Sequence, residues 1–568
     1  MSDIGDQRAT VQEDAVPDAS APISTTAKLA ALVPTMALAA CGGGGDGAAA
    51  TTPSGASPPV AVVQTITPTQ ASRFLAQATM GATRATIDTV VARGFEKWLD
   101  DQFALPRAIS HWEWLNANGY ADAQYMFRTL GFEPTVWRQL IVEPDQLRQR
   151  VAMALLDIMV VGIGSVNVSW RQYATAAYVD LLLDNAFGNY RTLLEAITYN
   201  AAMGSFLTFV GNRKANPKTG SQPDENYARE LMQLFTIGVQ QLNMDGTVKT
   251  ANGAALETYG QSDVSQLARV FTGLTFATTD KTVPDRYRQP LVMNAAYNET
   301  GASSFLGGSV SGGGTAAIKS ALDIIFAHPN LPPFVSKQLI QRLVTSNPTP
   351  AYVGRVAAIF ADNGSGVRGD MKAVIRAILL DSEARSDAAL TSTTAGKLRE
   401  PVMRLTGWAR AFGVTSPSGA WAFDDASSPT YRLGQSKGRA PSVFNFYRPG
   451  YTPPNTAMAK AGLVSPEFQI VNEQTVVAYI NYMQSLIANG SGDARADYTA
   501  MLALADNATT LVDEVNLILA AGQLGPATLA AIRTAVDSVS PTASNGPLSR
   551  VGIAILLTLA APDFLTLK

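Results

Sequence analysis

Along most of this chain apolar residues recur every three or four positions rather than every second one, a period that predicts helices. In "TPTQASRFLAQATMG" Phe74, Leu75 and Ala78 share one face, and the run is expected to stop at Gly81. "TRATIDTVVARGFEKWLDDQF" continues the pattern through Ile87, Val90 and Val91, breaks at Gly94 and resumes with Trp98 and Leu99. "EPDQLRQRVAMALLDIMVVG" opens with Pro144 in a first turn and sets Leu147, Val151, Ala154, Leu155 and Ile158 at helical spacing. "YVDLLLDNAFGNYRTLLEAITYNAAM" reads as two helices parted by Gly188-Asn189. Four further runs, starting at Thr315, Pro332, Pro350 and Gly369, each begin with a helix-start residue and end on a turn. The last hundred or so residues are helical again.

Two stretches depart from this period. Residues 245–316 are rich in Gly, Thr and Ser and include "LGGSVSGGGT". Residues 415–465 are loop-rich and aromatic, with "PSVFNFYRPGYTPP". The fold class expected is therefore mainly α, a multi-helix globular array with loop-rich, irregular or partly β insertions around 245–316 and 415–465. A chain of 568 residues is long for one core, so two or three packed subdomains are expected.

The amino-terminal end follows different rules. "LAALVPTMALAA" (29–40) is too short to span a bilayer and ends in small residues before Cys41, the single cysteine of the chain. Leu38-Ala39-Ala40-Cys41 resembles the bacterial lipobox, in which the cysteine is lipidated and becomes the first residue. The segment before Lys28 is long and acidic, unlike the short basic start of most export signals. "GGGGDGAAATTPSGASPP" after the cysteine is a flexible tether. The expected organisation is a lipoprotein-type signal over 1–40, a tether over 41–66 and an N-terminal helical region over 67–244. A loop-rich insertion over 245–316 and a C-terminal helical region over 317–568 complete it. The expected location is the bacterial cell envelope, as an outer-membrane lipoprotein or at the cell surface, with the lipid on Cys41 as the membrane contact.

Composition narrows the chemistry. Hydrophobic residues are 46% and charged residues 16%, a globular balance. The formal charge is −3, and residues 1–40 hold five acids against Arg8 and Lys28, so the remainder is balanced. A balanced surface gives no electrostatic footprint for nucleic acid. One cysteine excludes an intrachain disulfide, and His111 and His328 are the two histidines, which excludes zinc sites built from several His or Cys ligands. No nucleotide loop, nucleophile elbow or calcium loop is present, and "DNGSGVRGD" reads as a turn. No metal and no cofactor are expected. Hydrolytic chemistry would rest on carboxylates, hydroxyls, Lys or Arg.

The densest group of such residues is "GSQPDENYARELMQLF" (220–235). At about 100° per residue, Tyr227, Leu231, Leu234 and Phe235 form one buried stripe. Glu225 and Arg229 fall opposite it at i,i+4, the spacing of a solvated ion pair. Ser221-x-x-Asp224 fits a capping box. Glu230 lies at the edge of the stripe, past any capping role, and Asp224 lies on the same broad face. Such carboxylates either meet an Arg from a neighbouring helix (Arg148, Arg150 or Arg269) or shift their pKa and become acid–base candidates. Upstream, Asn212, Arg213 and Lys214 form a basic loop that would either stay solvated or fold over the helix start.

Long motifs carry a resemblance. "MGSFLTFVGNRKA", "PDENYARELMQLFTIGV", "YGQSDVSQLARVFTGLTF", "GDMKAVIRAILLDSEAR", "LREPVMR" and "APSVFNFYRPGY" are similar to the bacterial family catalogued as domain of unknown function 1800. The similarity runs over about residues 70–565. It implies an exported protein whose genes often neighbour those of a second exported, sulfatase-like family. Where this chain has Asn298 the family usually carries His, and near Ser303 a Lys. His328 in "AHPNLPPF" matches the family pattern at a helix start, a place where histidine commonly caps or bonds within the core.

The functional expectation is a carboxylate-dependent hydrolase or lyase acting on an extracellular polymer such as a polysaccharide. Asp224, Glu225 and Glu230 are the acid–base candidates, with Arg229 setting charge; Asn212, Lys214, His328, Arg399, Glu400 and Arg448 are candidate substrate contacts. Glu400 or Asp263 would supply a second acid if the reaction needs one. The alternative is a non-catalytic surface lipoprotein that assembles with a secreted partner and uses residues 211–233 as an internal brace. Lipidation is the first testable outcome. Mass spectrometry of a membrane fraction should find no peptide spanning residues 29–50, and Cys41→Ser should release the protein from the membrane. Equal membrane retention of Cys41→Ser would exclude the lipobox.

Overall fold

A helix begins where a side chain can take the first free backbone N–H groups, and this chain supplies such caps repeatedly. In a computed structural model that describes residues 65–107 and 109–568, helix Pro68–Ala78 starts from a capping box in which Thr67 and Gln70 exchange side-chain bonds to each other's N–H. Thr83 and Ser110 form capping boxes of the same kind, and the side chains of Asn200, Thr349, Asp370 and Asn507 accept from first-turn N–H groups of later helices. Cys41, the signal segment 1–40 and all but the last residues of the 41–66 tether lie outside the described residues.

The protein is mainly α. Helices Arg171–Asp184 and Tyr190–Thr198 are parted at Gly188-Asn189 as their sequence implies, and a third, Ala201–Phe206, follows. Among the described residues the strands form four two-stranded antiparallel ladders. Three fall within 245–316, whereas 415–465 carries no strand and folds as irregular chain around one short helix, Ala457–Lys460. The fourth ladder pairs Lys397 with Leu567 and Leu398 with Thr566, which brings the carboxyl end of the chain beside Arg399 and Glu400.

The glycine-rich region 245–316 contains one long helix, Gln261–Val270. Val264, Leu267 and Ala268 bury its inner face, and Asp263 Oδ2 accepts from the Gly260 N–H at 2.8 Å. Its periodicity is masked on both sides by Gly, Thr and Ser, so composition alone reads the region as loop. The first helix also ends earlier than its pattern suggests, with Thr79 as the C-cap and Gly81 two residues beyond it.

Residues Gln64–Lys568 cluster as one compact unit. Trp137, Trp170, Trp408, Tyr178, Tyr190 and Tyr227 are among its fully enclosed side chains. No helix among the described residues is long and apolar enough to cross a membrane.

Gly81 marks a close approach of two distant segments. A Cβ there would stand 2.6 Å from Gly407 Cα, while the Gly81 carbonyl accepts from Arg410 Nε at 2.9 Å. The φ of +152° adds to the preference for glycine. Gly81→Ala should therefore lower stability by about 1–3 kcal/mol, read as a drop in the urea midpoint at constant slope.

Candidate functional site

The stretch from Gly220 to Phe235 does not start its helix at Asp224. Asn212 competes for that backbone: its Oδ1 accepts from the Asp224 N–H at 2.9 Å and its Nδ2 donates to the Asp224 carbonyl at 3.1 Å. The chain is thereby held outside the helix at Asp224, and no Ser221–Asp224 capping box forms. Asp224 is exposed, with Oδ1 accepting from the Asn226 N–H (2.8 Å) and Oδ2 from Thr208 Oγ1 (2.9 Å). It does not share the face of Glu230. The 212–214 loop does fold over the helix start, through Asn212. Lys214 is exposed and only its backbone N–H is engaged, donating to the Tyr297 carbonyl at 2.7 Å.

The helix itself changes type midway. Asn226–Glu230 is α and Leu231–Thr236 is a π turn, with Thr236 Oγ1 donating to the Leu231 carbonyl at 2.6 Å. Wider turns of this kind often accompany functional sites because they re-aim the side chains beside them.

Glu225 and Glu230 meet opposite environments on this short element. Glu225 is half-buried and saturated: Arg229 (2.9 Å) and Gln261 Nε2 (2.7 Å) donate to one carboxylate oxygen and Ser265 Oγ (2.5 Å) to the other. The Ser265 hydroxyl first, then Gln261 and Arg229, holds its pKa below the usual carboxylate range against the effect of burial. Glu230 is 8% exposed, and its Oε2 is enclosed without a hydrogen-bond partner. Burial raises its pKa, and the Arg229 charge only partly opposes this.

None of the arginines offered by the sequence reaches Glu230. Arg148 pairs with Asp145 at 3.3 Å, Arg150 donates to the carbonyls of Gln77 and Arg342, and Arg269 faces Glu299 at 3.8 Å. Tyr259 shares the field of Glu230. Its phenol is pushed up to about 12, chiefly by burial, with Arg229 lowering and Glu230 raising it.

Glu400 belongs to a different assembly, and its surroundings are not those of a substrate contact. It is enclosed with Asp157, Lys437, Lys397 and Glu467. Lys437 Nζ donates to both Asp157 oxygens (2.8 and 2.9 Å) and to Glu400 Oε2 (2.9 Å). Gln435 Nε2 donates to Glu400 at 2.7 Å and Asn445 Nδ2 to Asp157 at 2.8 Å. Lys397 joins Glu467 at 3.0 Å. Burial alone would raise the Glu400 pKa, but Lys437, Lys397 and Arg150 overcome it and hold the group well below the carboxylate range.

Arg399 turns away from this cluster, donating to the Phe564 carbonyl at 2.7 Å with its guanidinium over the Phe564 ring. Arg448 is exposed and stacks over Phe444 at 5.5 Å. His328 is half-buried: Nδ1 accepts from the Asn330 N–H at 3.1 Å and its carbonyl from Arg368 at 3.0 Å. Burial, then the charges of Arg368 and Lys249, lowers its pKa. Asn298 ties two loops, donating to the Thr272 carbonyl and accepting from the Gly314 N–H, each at 2.7 Å. Ser303 is buried in the strand Ser303–Phe305.

Thus the fold brings Asn212, Asp224, Glu225 and Arg229 to one helix start, with Glu230 behind it, while Glu400 is committed elsewhere. Asp157, Lys397, Lys437 and Glu467 escaped sequence reasoning. Asp157 had a signal: it stands alone among apolar residues in "MALLDIMVVG", where a charge must find a partner.

The family described as "Protein of unknown function (DUF1800)" matches residues 73–566. The chain belongs to this family. Neither a curated protein nor a solved structure matches it. The family span includes the Glu230 helix and all five charged members of the Glu400 cluster.

The cluster makes a direct prediction. Lys437→Met leaves Asp157 and Glu400 buried without their shared cation, and should cost on the order of 3–5 kcal/mol in urea denaturation. Adding Glu400→Gln to that variant should recover part of the loss, because one of the stranded charges is removed.

Proposed function

We propose that this protein is an exported, lipid-anchored enzyme of the bacterial envelope, a hydrolase or lyase acting on an extracellular polymer such as a polysaccharide. Glu230 is its proton-transferring group. The observation that supports this most is a carboxyl held in the fold with an oxygen enclosed and unpartnered and with a raised pKa. A group in that state holds a proton at higher pH than a free glutamate, as a general acid or base requires. Tyr259, kept as a neutral phenol, is a neighbouring proton donor.

The lyase branch has the better support. Two-carboxylate glycoside hydrolysis needs a second acid. Glu400 is locked between ammonium groups, and Asp263 accepts from the N–H groups of Gly260 and Leu306, each at 2.8 Å. Proton abstraction from a polymer needs one base and one donor. Arg229, beside Glu225, contributes positive potential to the same helix.

A second reading, the non-catalytic brace, draws support from the way residues 212–229 are tied down. Asn212 clamps the Asp224 backbone, and Gln261 and Ser265 clamp Glu225. In that reading Glu230 serves the fold together with Arg229 and assembles the surface offered to a secreted partner.

Stability of one variant separates the two. A folded-state pKa above the unfolded value stabilises the fold below the unfolded pKa, and that contribution is lost as pH rises through the folded value. At neutral pH Glu230 is therefore a net cost in the enzyme reading. Glu230→Gln should leave the melting temperature unchanged or raised at pH 7, flatten its fall above pH about 4.5, and abolish turnover. A clear fall in the melting temperature of Glu230→Gln at pH 7 would instead support the brace.

A further inference from the structure

A groove of about 510 Å³ lies where the π turn, the helix Leu331–Leu343 and the loops around Pro449 and Gly462 meet. Gln233 and Leu234, three and four residues beyond Glu230, form part of its wall, and Lys337 from the helix forms another part. Lys337 is half-buried, with its Cδ beside the Gly246 turn. Burial lowers its pKa, and no carboxylate among the described residues contributes an opposing effect. An ammonium group that loses water without gaining a protein anion is arranged for an anion from outside.

The rest of the lining carries no charge: Gln, Asn and Ser side chains stand among Leu234, Val239, Leu242, Val248 and Val464. Gln338 Nε2 donates to the Leu234 carbonyl (3.2 Å) and Gln341 Nε2 to the Ser346 carbonyl (2.9 Å), which leaves their amide oxygens as acceptors and one N–H on each as a donor. Ser346 belongs to the lining too; its residue is 2% exposed and its hydroxyl has no hydrogen-bond partner. Phe334 adds one half-buried ring, against which Gly238 packs so closely that no Cβ fits there. Amide oxygens suit vicinal hydroxyls, an aromatic ring suits the C–H face of a pyranose, and one cation suits one carboxylate. A small crevice shares Gln338, Gln341 and Pro449 with the groove and reaches Arg342 and Glu467, whose Oε2 is also unpartnered.

We infer that this groove is a binding site for an acidic saccharide, a chain of uronic acid units, with Lys337 taking the sugar carboxylate. The assignment names the substrate class of the polymer proposed above and rests on that reading for a polymer ligand, while binding itself does not require Glu230 to transfer a proton. The half-buried Phe334 ring beside the amide acceptors favours a pyranose over an acidic peptide, and polyglutamate is the competitor that separates the two.

Calorimetric titration of the mature protein with oligogalacturonate tests this. The oligouronate should bind, and a neutral maltooligosaccharide of equal length should bind at least about tenfold more weakly. Lys337→Met, close in size to lysine, should weaken oligouronate binding about tenfold or more with an unchanged melting temperature, while Lys337→Arg should stay within a few-fold. Glu230→Gln should bind as the wild type does, so a failed Glu230 assignment remains distinct from a failed groove. The inference is overturned if no oligouronate binds, if the neutral oligosaccharide binds equally, if Lys337→Met binds unchanged, or if polyglutamate displaces the oligouronate.

Discussion

The charged cluster around Lys437 is the constraint on which the architecture turns. Asp157 follows the end of helix Gln146–Leu156, Glu400 is the N-cap of helix Pro401–Ala411, and Lys437 comes from an irregular loop 280 residues after Asp157. Lys397 enters from the strand paired with the carboxyl terminus, and Glu467 from the turn after Ser465. Removing each of these charges from water costs several kcal/mol, and mutual pairing offsets that cost only in good geometry with extra donors. Gln435 and Asn445 supply those donors. The cluster therefore adds little net stability over an apolar core of the same shape. Its effect is to reject alternatives, because any register that separates one charge from its partners strands the others.

That requirement explains how a chain segment without regular structure can be buried. The 433–447 stretch places Gln435, Ser436, Lys437 and Tyr447 almost wholly out of solvent, where loops are normally excluded by their unpaired polar groups. Here the side chains of the loop carry the pairing. Arg342, over the Tyr447 ring at 5.0 Å, and Lys397 extend the same field toward the crevice beneath the Lys337 groove. The charged cluster and the groove thus adjoin, through the crevice that joins Gln338 and Gln341 to Arg342 and Glu467.

Glu400 and Glu230 show what separates a structural acid from a chemical one. Both are buried glutamates at helix ends or turns, yet their pKa values move in opposite directions. Two ammonium groups and a guanidinium surround Glu400, so the charged form is favoured despite burial. Glu230 has, among the described residues, the Arg229 charge as its one opposing influence, and desolvation prevails. The π turn that follows Glu230 and the clamp from Asn212 that precedes it fix a conformation that a regular helix from Ser221 would not give. Local irregularity of this sort is tolerated where function selects it.

The helices were legible in the sequence because their causes are local. Phe74, Leu75 and Ala78, or Val374, Ile375 and Ile378, repeat at a period set by the backbone itself, and caps such as Thr349 and Asp370 act within three residues. The opposed positions of Glu225 and Glu230 relative to the buried stripe followed from the same angles, and Glu225 does pair with Arg229. The Gln261–Val270 helix was obscured only by its Gly- and Thr-rich flanks. The start of the 226–230 helix was not legible, since Asn212 outcompetes the local cap from outside the window. Nor were the partners of Glu400, or the engagement of Arg148, Arg150 and Arg269 away from Glu230. A charge records in the sequence only that it needs a partner; which partner it finds depends on residues hundreds of positions away, brought into reach by packing that no local period encodes.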